Sequence, residues 1–204
     1  MQFTTPDMRE ITISDKSEAC DFIKDSCKEC NRKYECTGEN AAFCNHMKNI
    51  LVAKYGAAEG CLKESRIRHS MGVANFLFAY AKSHDWSKVE TEDLYLTGLL
   101  HDIGYIDNPK GTDHGRLGAE ILKRNGLNAE ICELISCHGR FIENPSRKQA
   151  LLWLADLCVN RDGDYIGYQK RYESIKERYK NDPERLFQVY RILEYLQIHF
   201  SEYR

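Results

Sequence analysis

Four histidines and two aspartates constrain this chain most, because a helical reading turns each of them toward the interior. His69 precedes Val73, Phe76 and Tyr80 at i+4, i+7 and i+11, so it shares their face. His138 follows Ile131, Leu134 and Ile135 at i−7, i−4 and i−3. His114 opens a segment whose inner face is Leu117, Gly118 and Ile121, and Asp156 lies over Leu152 and Trp153 in an otherwise apolar run. His101 and Asp102 close the run Leu94 to Leu100. Helical neighbours diverge by about 100°, yet two adjacent ligands can converge on one ion from the end of a helix. Gly98 and Gly104 flank this pair and remove bulk where something must approach closely.

A lone histidine on an apolar face is more often a hydrogen-bonded core residue than a ligand. Four histidines and two aspartates on five segments of a 204-residue chain are a different case. Burying so many polar groups without a shared partner is costly. A cation coordinated by all of them removes that cost. Imidazole with carboxylate suits Fe, Mn, Zn, Co or Ni better than the all-oxygen sites of Mg or Ca.

The surrounding pattern is helical. The four prolines are Pro6, Pro109, Pro145 and Pro183, which leaves residues 7–108 free for long helices. Periodicity predicts helices over residues 61–83, 90–101, 113–124, 128–138, 147–158, 167–180 and 183–200. Ser87 with Glu90 fits a capping box, and Pro183 suits a first helical turn. Strand signals are confined to short extended pieces at Phe3–Thr5 and Glu10–Ser14. The expected architecture is all-α: a Cys-rich extension over residues 1–60, then a helical domain over residues 61–204.

Composition narrows the function. The formal net charge of −2 argues against a partner held by bulk charge, such as a nucleic-acid polymer. The start has no basic region followed by an apolar run, so no secretory leader is expected. The most apolar stretch, residues 71–81, is too short to span a bilayer and contains Asn75. A cytoplasmic protein with no membrane partner is the expectation, and its thiols stay reduced there. Its oligomeric state is open.

Six of the nine cysteines fall between Cys20 and Cys61. Cys27-x2-Cys30-x5-Cys36-x7-Cys44, with His46 nearby, offers four thiolates for structural zinc or an iron–sulfur cluster. Only one of its pairs is close, and buried cysteines in a helical extension are the bland alternative. Cys132, Cys137 and Cys158 read as core packing. So does the stripe Tyr165, Tyr168, Tyr172 and Tyr179, although such rings could also stack on a nucleobase.

The local texts RIRHSMGVANFLFAYA, LLHDIGYI and LLWLADL resemble the H…HD…D signature of the HD superfamily of metal-dependent phosphohydrolases. The signature residues here are His69, His101, Asp102 and Asp156. DHGRLGAEIL and SCHGR add His114 and His138, which in binuclear members hold a second metal while the Asp of HD bridges both ions. The chain resembles small HDIG-type proteins, including bacterial hydrolases that split diadenosine tetraphosphate symmetrically; the text after Asp156 departs from theirs. The resemblance implies two divalent transition-metal ions, Fe or Mn foremost, with Zn, Co or Ni as alternatives. It implies water activated for attack on the phosphorus of a small, nucleotide-like substrate, with Asp102, Arg66 and Arg140 as catalytic residues. Arg66 shares the His69 face at i−3, where a guanidinium could reach a phosphate. Arg161 and Lys170 are weaker choices. Two other readings share this ligand set: an HD-fold diiron oxygenase, and a non-catalytic module sensing a ligand or redox state.

Overall fold

The computed structural model describes residues 2–4, 10–12, 64–106, 111, 113–124 and 127–204. The cysteine constellation Cys27, Cys30, Cys36 and Cys44, the histidine beside it and the expected boundary at residues 60 and 61 lie outside the described residues. Near the start, β1 (Gln2–Thr4) pairs antiparallel with β2 (Glu10–Thr12), with Gln2 opposite Thr12. These are the two short extended pieces expected there.

Seven α-helices follow among the described residues: α1 (Glu64–Ser83), α2 (Lys88–Leu100), α3 (His114–Arg124), α4 (Ala129–Cys137), α5 (Arg147–Cys158), α6 (Tyr168–Arg178) and α7 (Pro183–His199). A 3-10 turn over Ile103–Ile106 joins the end of α2 to the approach of α3, and another over Ser201–Tyr203 ends the chain. Each predicted helix is present, and the fold is all-α as expected for this region. The boundaries are set by local chemistry. Ser87 accepts from the Glu90 backbone and Glu90 returns the bond, so Glu90 is the third residue of α2 and the helix starts earlier than its periodicity suggests. Asn128, Ser146 and Asp182 cap α4, α5 and α7 in the same way, each accepting from a backbone N–H of the first turn.

The core has two parts, and α1 feeds both. Val73, Phe76, Leu77 and Tyr80 pack with Leu151, Trp153, Leu154, Leu193 and Leu196 of α5 and α7. Ala74 and Phe78, on an adjoining strip of α1, pack with Tyr95, Leu99, Ile103, Ile121, Ile131 and Ile135 of α2, α3 and α4. The α1–α2 contact is close because Gly98 has no side chain. A Cβ there would lie 2.8 Å from the Ala74 backbone. Gly104 works similarly, since a Cβ there would collide with the His114 carbonyl. Both glycines were expected to clear room for a close approach. What approaches is helix backbone, and the effect is to draw the segments carrying His101, Asp102 and His114 together.

No helix among the described residues is long and apolar enough to cross a membrane. Cys132 and Cys158 are buried and Cys137 is half-buried, in keeping with packing roles. Tyr168 is buried and Tyr165, Tyr172 and Tyr179 lie against the core, so the packing reading holds for all four of the stripe.

Candidate metal centre

Most of the ionisable residues singled out above sit at or beside the end of a helix. His69 lies in the second turn of α1, and His101 caps the C-terminus of α2 with Asp102 immediately after it. His114 is the first residue of α3, His138 caps the C-terminus of α4, and Asp156 lies in the last turn of α5. The four imidazoles are at most 8% exposed and Asp102 is 2% exposed. The Asp156 carboxylate is more open, at 27% of its side-chain surface.

Helix ends carry unpaired carbonyls, and these orient the rings. His101 Nδ1 is 2.7 Å from the Gly98 carbonyl, and His138 Nδ1 is 2.6 Å from the Ile135 carbonyl. Both bonds reach three residues back along the ring's own helix. His114 Nδ1 is 2.9 Å from the Gly111 carbonyl, and His69 Nδ1 is 3.0 Å from the Asn160 carbonyl in the loop after α5. A carbonyl only accepts, so each Nδ1 carries a proton and donates it. In the neutral ring, that leaves every Nε2 with a bare lone pair.

The four lone pairs point at one another and at the two carboxylates. Asp102 Oδ1 lies 3.4 Å from His114 Nε2, 3.6 Å from His101 Nε2 and 3.7 Å from His138 Nε2. Asp156 Oδ1 lies 2.8 Å from His69 Nε2 and 3.9 Å from His101 Nε2. The Nε2 atoms of His114 and His138 are 2.9 Å apart. His101 Nε2 is buried with no hydrogen-bond partner at all. Protons alone resolve this poorly. Burial holds the His101 pKa down at about 4, and burial with the neighbouring His138 holds His114 at about 3, so both are neutral at pH 7; Asp102 and Asp156 raise His138 against burial, but a proton there still leaves His101 Nε2 without a partner. The donor set fits divalent cations, and its Nδ1–H to carbonyl bonds are the usual outer support of a metal-ligating histidine.

The donors fall into overlapping triads. His69, His101 and Asp102 form one, Asp102, His114 and His138 another, and His101, His138 and Asp156 a third. Asp102 belongs to the first two. Burial alone would raise its pKa; the surrounding His101, His138, Arg66 and His114 overcome that and hold the carboxyl well below the usual range. Arg66 Nη1 lies 2.8 Å from Asp102 Oδ2. Its guanidinium stacks 3.8 Å over the Tyr105 ring, and Tyr105 stacks on His114 with ring centroids 4.1 Å apart. Arg66 thus steadies the carboxylate as well as facing the cavity.

A cavity of about 360 Å³ opens over these groups. Its wall includes Arg66, Asp102, His114, His138, Arg140 and Asp156. Arg140 is exposed, its Nη2 4.0 Å from Cys137 Sγ. Arg161 and Lys170 are exposed and absent from that wall. Sequence reasoning missed three arginines of this wall, Arg171 and Arg178 on α6 and Arg185 on α7; Tyr179, of the stripe weighed as packing or base-stacking, lines it too. A signal existed for the first two: they are seven residues apart, on the face that carries Tyr168 and Ile175. Asn160 was missed as well. Its side-chain oxygen accepts from the Asp162 and Asp164 backbones and shapes the loop whose carbonyl holds His69.

Comparison with known proteins gives one family. The model of the HD domain matches residues 66–186. An uncharacterised protein of Methanocaldococcus jannaschii is 32% identical over 77 residues, covering 37% of this chain and 45% of its own. A protein named ribonuclease Y from Fervidobacterium nodosum is 35% identical over 92 residues, 41% of this chain and 18% of that protein. Another of that name, from Mycoplasma mycoides, is 34% identical over 113 residues, 54% of this chain and 20% of that protein. The chain thus spans less than half the length of each of these relatives.

Proposed function

Since this chain belongs to the HD domain family, we propose that it is a metal-dependent phosphohydrolase that cleaves a phosphoester or phosphoanhydride in a small, nucleotide-like molecule. The observation that carries this reading is the convergence of four lone-pair Nε2 atoms on two carboxylates beneath an arginine-lined cavity. His69, His101, Asp102 and Asp156 would hold one ion, and Asp102, His114 and His138 a second, with Asp102 shared. Divalent ions in such a set supply water acidified towards a pKa of roughly 7 and polarise phosphoryl oxygens. Iron or manganese suits the mixed imidazole and carboxylate donors best, with zinc, cobalt and nickel as alternatives.

The chain's own residues do the rest. The backbone carbonyls of Gly98, Ile135, Gly111 and Asn160 keep each ring in one tautomer and one orientation. Arg66 and Arg140 face the cavity, where a guanidinium can neutralise charge developing on phosphoryl oxygens. The arginine wall favours phosphate chemistry over oxygenase chemistry, and the complete donor set favours an enzyme over a sensor. The small cavity and near-neutral chain favour a small substrate over a nucleic-acid polymer, although two relatives carry the name ribonuclease Y.

The test is metal analysis with a substrate screen. Protein purified anaerobically should carry about two transition-metal ions per HD core, and should release phosphate or a phosphomonoester from phosphorylated metabolites with Mn or Fe present. A protein that binds no metal, or that consumes oxygen with a substrate and releases no phosphate, refutes the reading.

A further inference from the structure

Arg171 is a buried cation without an ion pair, although the Asp156 and Asp102 carboxylates act on its charge. The residue is 4% exposed, and its Nε has no hydrogen-bond partner. Among the described residues, no carboxylate makes an ion pair with it. Natural proteins rarely leave a charge in that condition, because desolvation is repaid only by a partner. Arg171 lines the cavity over the metal centre. Arg178, two turns further along the same face of α6, and Arg185, in the first turn of α7, line it too. They flank Tyr179, with the Arg185 guanidinium 4.1 Å and that of Arg178 5.5 Å from its ring centroid. Arg171 is near enough to the centre to feel it: burial, with Arg178 and Arg66, depresses its pKa against the pull of Asp156 and Asp102. Asp182 and Glu184 also line the cavity, but Asp182 accepts from the Arg185 backbone as the cap of α7.

Compare the arginines already accounted for. Arg66 is paired with Asp102, and Arg116 with Asp113 and Glu120. Arg171, Arg178 and Arg185, like the exposed Arg140, line the cavity without an ion pair among the described residues. They lie on α6 and α7, helices that contribute none of the six metal donors.

We propose that Arg171, Arg178 and Arg185 form a second anion subsite beside the metal centre, and that it selects substrates carrying at least one phosphate group besides the one being cleaved. This inference rests on the phosphohydrolase reading and narrows it. A phosphate held by the metals and Arg66 occupies one end of the cavity. A neighbouring phosphate of the same molecule meets the three arginines, whose forked donors suit its oxygens. A monophosphate leaves the subsite empty.

Inorganic tripolyphosphate and orthophosphate are the probes, measured by titration calorimetry on the metal-loaded full chain. Tripolyphosphate should bind at least tenfold more tightly than orthophosphate. Arg178→Gln and Arg185→Gln should each weaken tripolyphosphate binding several-fold and leave orthophosphate binding and metal content unmoved. Arg171→Gln should lose most of the preference, and Arg171→Lys should recover only part of it. Because Arg171 is buried, circular dichroism on its variants separates loss of the subsite from loss of the fold, and the Arg178 and Arg185 variants decide if Arg171→Gln does not fold. Equal affinity for the two probes overturns the proposal, as does tripolyphosphate binding untouched by Arg178→Gln and Arg185→Gln. Tighter binding of an oligoribonucleotide than of tripolyphosphate, with the same arginine dependence, overturns it in favour of a polymer. These are binding readouts. A protein that prefers tripolyphosphate but hydrolyses no phosphorylated compound keeps the subsite and loses the phosphohydrolase reading.

Discussion

At the residue scale, the centre depends on protons as much as on position. Each histidine gives its Nδ1 proton to a backbone carbonyl, and that single bond decides which nitrogen is free. Asp102 is the hub, with three Nε2 atoms within 3.7 Å of Oδ1 and Arg66 on Oδ2. Asp102→Ala should therefore remove at least one of two metals and abolish phosphate release; elemental analysis beside an activity assay checks this, and two metals retained would refute the shared-ligand role. The Asn160 side chain touches none of the six metal-ligating residues, yet by accepting from the Asp162 and Asp164 backbones it shapes the loop whose carbonyl holds His69. Asn160→Ala should weaken metal affinity on the order of 10–100-fold, as loss of outer support at metal sites does. A competition titration against a chelator measures it. An unchanged affinity would mean the loop keeps its shape without the side chain.

At the scale of elements, the centre is made where two helix groups meet. Helices α1 and α5 bring His69 and Asp156; α2, α3 and α4 bring His101, Asp102, His114 and His138. Close approach of α1 and α2 depends on Gly98, whose carbonyl also orients His101. A methyl group there has no room against the Ala74 backbone, which cannot move aside as a side-chain tip can. Gly98→Ala should therefore cost about 1–3 kcal/mol, the usual range for overpacking a tight core, and should lower metal content with it. Urea unfolding of the metal-free protein gives the first quantity. A neutral or stabilising result would show that the helices separate freely.

At the scale of the whole molecule, the centre ties stability to pH and metal. In the metal-free protein, burial holds His101 at about 4 and His114 at about 3, against roughly 6.5 for an exposed histidine. Below roughly pH 6.5 the unfolded chain takes up protons that these two rings refuse, so stability falls as pH falls towards 4. His138 runs the other way. Burial opposes its charge, but Asp102 and Asp156 overcome that and raise its pKa, so its share of stability is fully present below 6.5. Two rings outweigh one. Asp102 and Asp156, both held low by their histidine neighbours against the effect of burial, add a further loss below the usual carboxylate range. Melting temperature of chelator-treated protein should drop between pH 7.5 and pH 5, and a rise over that interval would contradict this balance. Restoring the metal at pH 7.5 should raise it, because ligands that bind only the folded state stabilise it.

Which helix faces are buried was legible from the residue pattern alone. Helical periodicity put His69 with Val73, Phe76 and Tyr80, and all four are buried; it put His138 with Ile131, Leu134 and Ile135, and these are buried too. Ordered motif text then carried the resemblance, because each member of H…HD…D sits in its own readable helical context. Direction at helix ends and across the cavity comes only from how the helices pack. Periodicity says that a ring points inward; it does not say which carbonyl will take its Nδ1 proton, since the Asn160 carbonyl is brought to His69 by folding across 91 residues. Nor does it tell a surface arginine from one folded over a metal centre. Arg171 and Arg178 share a face with Tyr168 and Ile175, but only the packing of α6 and α7 sets that face over the cavity, where desolvation gives an unpaired guanidinium a meaning it lacks in water.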